Sequence, residues 1–123
     1  MCSMSYLDLV QWFKFKVMAS GILGQSAPSA TTLTTVYTVP SSTHSVANIN
    51  VLNRSASAPV DVRIALSATG TPTTAEYIEY DVTIPAKGVM ERTAISLQAG
   101  KKIVVYCSTG DTSISVYGLE QSA

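Results

Sequence analysis

From Thr34 onward the apolar residues of this chain recur at every second position, the spacing of a strand with one buried and one wet face. In PVDVRIALS, Val60, Val62, Ile64 and Leu66 alternate with Asp61, Arg63, Ala65 and Ser67. In YIEYDVTI, Ile78, Tyr80, Val82 and Ile84 alternate with Tyr77, Glu79, Asp81 and Thr83, which predicts the first set inside and the second outside. Further strands are predicted over Thr34 to Val39, Ser45 to Asn53, Val89 to Leu97, Lys101 to Ser108 and Ser113 to Leu119. Turn-forming residues separate them: Pro40-Ser41-Ser42, Asn53-Arg54-Ser55, Gly70-Thr71-Pro72, Pro85 to Gly88, Ala99-Gly100 and Gly110-Asp111. Short strands at regular spacing with turns between them predict an all-β protein. The expected fold is a single antiparallel β-sandwich of about seven strands over residues 34–123. Alternation alone leaves a small barrel open as well. The Cys, Trp, Cys spacing of immunoglobulin domains is absent.

The chain before Thr34 follows neither period. Residues 18–33 contain Gly21, Gly24 and Pro28 among Ser, Thr and Ala, with no charge. They predict an extended N-terminal arm that pairs at a sheet edge, in this copy or a neighbour's. Its candidate docking residues are Gly21, Ile22, Leu23, Gly24, Gln25 and Pro28. Deleting Gly21 to Leu33 is then expected to leave a folded domain. Residues 1–17, MCSMSYLDLVQWFKFKV, form a distinct extension holding Trp12, Phe13 and Phe15. Three readings stand for it: translation beginning at Met18, a short amphipathic docking helix, or attachment to a membrane surface. Two lysines give little attraction to lipid, and the apolar run is too short to span a bilayer, so no membrane partner is expected. Its basic residues follow the apolar run, the reverse of a secretory signal.

Composition narrows the partners. Charged residues are 13% of the chain and the net charge is zero, which argues against nucleic acid, since phosphate binding needs clustered Lys and Arg. Such a surface repels itself little and tolerates packing against copies or other proteins. The two cysteines, Cys2 and Cys107, show no disulfide spacing, and Cys107 reads as a small buried hydrophobe.

Chemistry is sparse. The only histidine, His44, sits beside a turn, with no nucleophile elbow in the sequence. One His and two distant Cys cannot fill a tetrahedral metal site, so neither metal nor cofactor is expected. Glu76, Glu79 and Asp81 cluster with Tyr77 and Tyr80, but Glu79 and Asp81 fall on the outward face and read as solvated. Asn53-Arg54-Ser55 matches a glycosylation triplet, a pattern common by chance. Lys101-Lys102 at a strand start reads as edge protection. Tyr77 and Tyr117 are candidate exposed aromatics.

Several stretches together carry a resemblance. They are Met18-Ala-Ser-Gly-Ile-Leu-Gly-Gln-Ser-Ala-Pro28, Val36-Tyr-Thr-Val-Pro40 and Asn53-Arg54-Ser55-Ala56, then Val62-Arg63-Ile64-Ala65 and Tyr77-Ile78-Glu79-Tyr80-Asp81. The last is Ser115-Val116-Tyr117-Gly118-Leu119-Glu120. In this order they resemble small virion structural proteins of tailed bacteriophages, cyanophages included. The resemblance covers about Met18 to Glu120, leaves residues 1–17 outside and supplies no catalytic residues. It implies a virion component. The expected function is therefore non-enzymatic: a capsid decoration or cement protein on the shell, with the major capsid protein as partner. A homo-oligomer is expected, with a trimer favoured. The rival readings are a tail, neck or fibre-associated protein, and a module that binds host-surface glycan through Tyr77 or Tyr117.

Overall fold

The computed structural model describes residues 17–123, with side chains described from Ala19, so the readings of residues 1–16 as a helix or membrane anchor lie outside the described residues. Eight strands follow one another: β1 (Val17–Ser26), β2 (Thr34–Thr38), β3 (Thr43–Asn53), β4 (Val60–Ser67), β5 (Tyr77–Ile84), β6 (Val89–Leu97), β7 (Lys102–Cys107) and β8 (Thr112–Ser122). The only helical turn described is a three-residue 3-10 turn, Thr74–Glu76. The seven strands expected from the alternation are all present. His44 lies within β3 instead of the preceding turn, because β3 begins at Thr43.

The strands form two four-stranded antiparallel sheets, ordered β1-β8-β3-β6 and β2-β7-β4-β5. The pairings are nested: β1 with β8, β2 with β7, β3 with β6 and β4 with β5. The chain is thus one long antiparallel ribbon, doubled back at the β4–β5 connection and rolled so that alternate pairs fall in opposite sheets. Pairings of β3 with β8 and of β4 with β7 close each sheet. Two four-stranded sheets wound in this way are a jelly roll, and the sandwich, not the barrel, is the form adopted.

The inner faces pack as the alternation requires. Ala47, Ile49, Val51, Ile114 and Val116 of the first sheet meet Val60, Val62, Ile64, Ile103 and Val105 of the second, all buried. Cys107 is buried among them, and burial pushes its thiol pKa up, so it is a packing residue.

Lys101-Lys102 guards no edge, because it opens β7, which lies between β2 and β4, and two further expectations need correction. The arm expected over 18–33 does pair at a sheet edge, in this copy, and is therefore part of the same sandwich as residues 34–123 instead of a separate unit. Val17–Ser26 is an edge strand of the sandwich, paired with β8 from Val17 opposite Gln121 to Ser26 opposite Ile114. Alternation missed it because an edge strand rich in Gly, Ser and Ala shows little apolar contrast. Leu23 nevertheless packs on the core and Pro28 is buried. Gly24 is required here, since a Cβ would run into the Val36 carbonyl where β1 crosses β2. The second correction concerns Tyr80. It does not join Ile78, Val82 and Ile84 on the inner side; it is 58% exposed. The register passes from Val62 opposite Val82 to Ile64 opposite Glu79, then to Ala65 opposite Tyr77. These two bulges, with Asp81 at φ 54°, turn Tyr80 outward.

Candidate functional site

Two surfaces gather the residues of interest. The first is the outer edge of β1. Its six candidate docking residues divide between two roles. Gly21, Ile22 and Gln25 are exposed, Ile22 to 60%, whereas Leu23, Gly24 and Pro28 face the protein. Gln25 Nε2 donates to Ser115 Oγ at 3.3 Å, which ties the strand to β8. Gly21 stands opposite Gly118, which in turn stands opposite Ala47, so three small residues line up across the sheet.

The other three sheet edges are guarded. β6 carries Glu91 and Arg92 and a bulge at Ala94 (φ 57°), whose N–H donates to Asn48 Oδ1 at 2.9 Å. β5 carries Glu79, Asp81 and its two bulges. β2 is only five residues long. β1 has register shifts between Val17 and Ala19 and, mid-strand, between Ile22 and Gly24, but runs for ten residues, VMASGILGQS, without a charge or a proline. Charges, proline and short length are the devices that prevent a sheet edge from pairing with another chain.

The second surface is the outer face of the β7-β4-β5 sheet. Arg63 on β4 stands opposite Tyr106 on β7. Its guanidinium lies 4.2 Å from the centre of the Tyr80 ring and 4.5 Å from that of Tyr106. Arg63 Nε and Nη2 donate to the two Asp81 carboxylate oxygens at 2.6 and 3.3 Å. This fork holds the Asp81 carboxyl below its ordinary pKa. Tyr80 also meets Tyr77 edge to face, with centroids 5.1 Å apart. Thr74, Tyr77 and Tyr80 line a shallow depression among the described residues.

Tyr77 is half-buried and Tyr80 is the exposed ring of the pair. Tyr117, on the outer face of the other sheet, is also half-buried and donates to Glu91 Oε2 at 3.1 Å, a bond that raises its pKa. The one signal for Tyr80 lay in its own hydroxyl: a tyrosine among Ile78, Val82 and Ile84 would have had to bury it.

The three acids near Tyr77 do not converge. Glu76 folds over the β4–β5 loop, accepting from Ser67 Oγ at 2.9 Å and from the Thr73 and Ala68 N–H groups at 2.8 and 3.3 Å. The Thr73 backbone bond, then the Ser67 bond, lower its pKa. Glu79, expected on the solvated face, is instead half-buried and reaches Arg92 of the facing sheet at 3.9 Å, because the bulges set it opposite Ile64, and Asp81 is taken by Arg63. His44 Nε2 and Ser96 Oγ are 3.2 Å apart, a pair with no third member to orient it. Asn53 is fully buried, its amide donating to the carbonyls of Ala58, Ile84 and Pro85, so it is a structural tie and inaccessible to glycosylation. Among the described residues no three His, Cys, Asp or Glu side chains lie close enough to hold a metal ion, and no helix is long and apolar enough to cross a membrane.

No family model and no curated protein matches this chain.

Proposed function

We propose that this chain is a non-enzymatic structural component of a phage particle, a capsid decoration protein that binds the shell lattice as a homo-oligomer. The observation that carries the reading is the uncharged ten-residue edge of β1 on a sandwich whose other edges are all short or charged. An edge that no strand of the described residues covers calls for a strand or surface that covers it in the working state. Main-chain hydrogen bonds along β1, with Ile22 as the apolar contact, would hold it there and ask for no charge on the partner. The near-neutral composition fits the same use, since neighbouring copies at lattice spacing repel one another little. The resemblance of Met18 to Glu120 to small virion proteins points the same way. So does the jelly roll, an architecture that viral capsid domains use and lectins share, which supports the reading by analogy of fold alone.

Quantitative peptide mass spectrometry of purified particles tests it. Copy numbers comparable with the major capsid protein support decoration of the shell. A low copy number moves the protein to the tail, neck or fibres. Absence from the particles overturns the virion reading.

A further inference from the structure

We infer that the outer face around Tyr80 is a carbohydrate-binding platform that takes neutral pyranose units of a polysaccharide. The outward turn of Tyr80 departs from the regular strand at a cost. Period-two alternation would have placed Tyr80 in the core beside Ile78 and Val82. Two bulges within a few residues turn it out, and Asp81 adopts a left-handed conformation that a non-glycine residue rarely takes. Bulges are one way to guard an edge, but guarding does not account for an exposed ring. Glu79 and Asp81 already guard β5, and protection gains nothing from exposing an aromatic ring.

The exposed ring is also held still. The Arg63 guanidinium lies over it at 4.2 Å, and Tyr77 meets it edge to face. Arg63 is fixed in turn by the two-pronged bond to Asp81 and by Tyr106. Arg63 covers one face of the ring, and the rest of this 58% exposed side chain, fixed by its neighbours, is a preformed apolar surface with little motion to lose on binding.

A pyranose matches that surface. Its axial C–H groups form an apolar face that stacks on an aromatic ring, and its equatorial hydroxyls need donors and acceptors around the rim. Thr74 and Tyr77, which line the depression with Tyr80, supply hydroxyl groups there. The charge of Arg63 is neutralised by Asp81, so the platform favours an uncharged sugar over an acidic one. This inference does not depend on the shell reading, because β1 and Tyr80 lie in different sheets.

The test is titration of the full chain with tetrasaccharides of glucose, galactose, mannose and N-acetylglucosamine, followed through the tyrosine ring resonances. Hyaluronan tetrasaccharide serves as the acidic comparison. The expected result is a saturable shift of the Tyr80 and Tyr77 signals with at least one neutral sugar. Y80A should weaken that affinity by about tenfold or more, whereas Y80W should keep it. Unchanged thermal melting of Y80A separates lost binding from lost folding. No saturable shift with any neutral sugar overturns the proposal, as does a shift that survives Y80A or one seen only with hyaluronan. Loss of particle attachment in Y80A without any sugar binding would overturn it in favour of a protein contact.

Discussion

Tyr37 and Glu120 join the two sheets through one short hydrogen bond. The Tyr37 hydroxyl on β2 donates to Glu120 Oε2 on β8 at 2.5 Å, and both residues are buried. Burial, then the bond to Glu120, pushes the phenol pKa from 10.0 up to about 12. A group whose pKa is raised on folding stabilises the fold in full below its unfolded value. That contribution is lost as pH rises through the folded value. Unfolding by denaturant should therefore show a loss of about 2 kcal/mol between pH 10 and 12. Tyr37→Phe should flatten that window and cost about 1–3 kcal/mol at neutral pH, because Glu120 keeps its burial and loses its donor. Gly118, two residues before Glu120, is fixed by space: its φ is 154°, and a Cβ there would strike the Val46 carbonyl.

Among the elements, β1 and the β4–β5 loop make separate predictions. Ile22 on β1 projects into solvent, so Ile22→Lys should leave the melting temperature nearly unchanged. It should nevertheless abolish attachment to particles, measured by co-sedimentation with shells lacking the protein, because a lysine on an open edge opposes strand addition. Retained attachment would show that the edge of β1 is not the contact. The β4–β5 loop is organised by the Glu76 carboxylate, whose pKa is lowered on folding. Its contribution is present above the unfolded value of 4.5 and is lost as pH falls through the lower folded value. Melting curves should shift down in acid for the wild type, and Glu76→Gln should shrink that shift. Asp81, lowered by Arg63, adds a loss of the same sign.

The whole molecule is governed by its nested pairing. The first strand pairs with the last, so the outermost contacts close nearly the whole chain and form against the largest loop entropy. This reverses the expectation that residues 21–33 can be removed without loss of fold. Deleting residues 17–26 should expose one side of β8 and strip Leu23 from the core. Circular dichroism and size exclusion should then report an unfolded or aggregated product. A monomer with native melting would show instead that β1 is dispensable to the sandwich. The same pairing carries the termini of the sandwich to one sheet, which leaves the Tyr80 face on the other.

The sequence alone determined what depends on local period. Alternation marked seven strands and the inward Val60, Val62 and Ile64 on β4, because a strand with one buried face must repeat every second residue; it did not show that Ala65 and Ser67, expected on the wet face, are buried too. Glycine and proline marked the breaks, since their backbone limits act wherever they stand. The part that Tyr37, Asn53, Arg63, Asp81 and Glu120 take in ties across the fold shows in no local pattern. Asn53 binds three carbonyls from two separate segments, and Arg63 meets Asp81 across β4 and β5. The tertiary structure decided three further matters. It set the arm on this copy's own sheet edge and not a neighbour's, because pairing with β8 needs backbone groups and no side-chain signature. It turned Tyr80 outward, because a bulge shifts register against a partner that the sequence does not name. It also chose the jelly roll, because which strand neighbours which depends on contacts nearly the length of the chain apart.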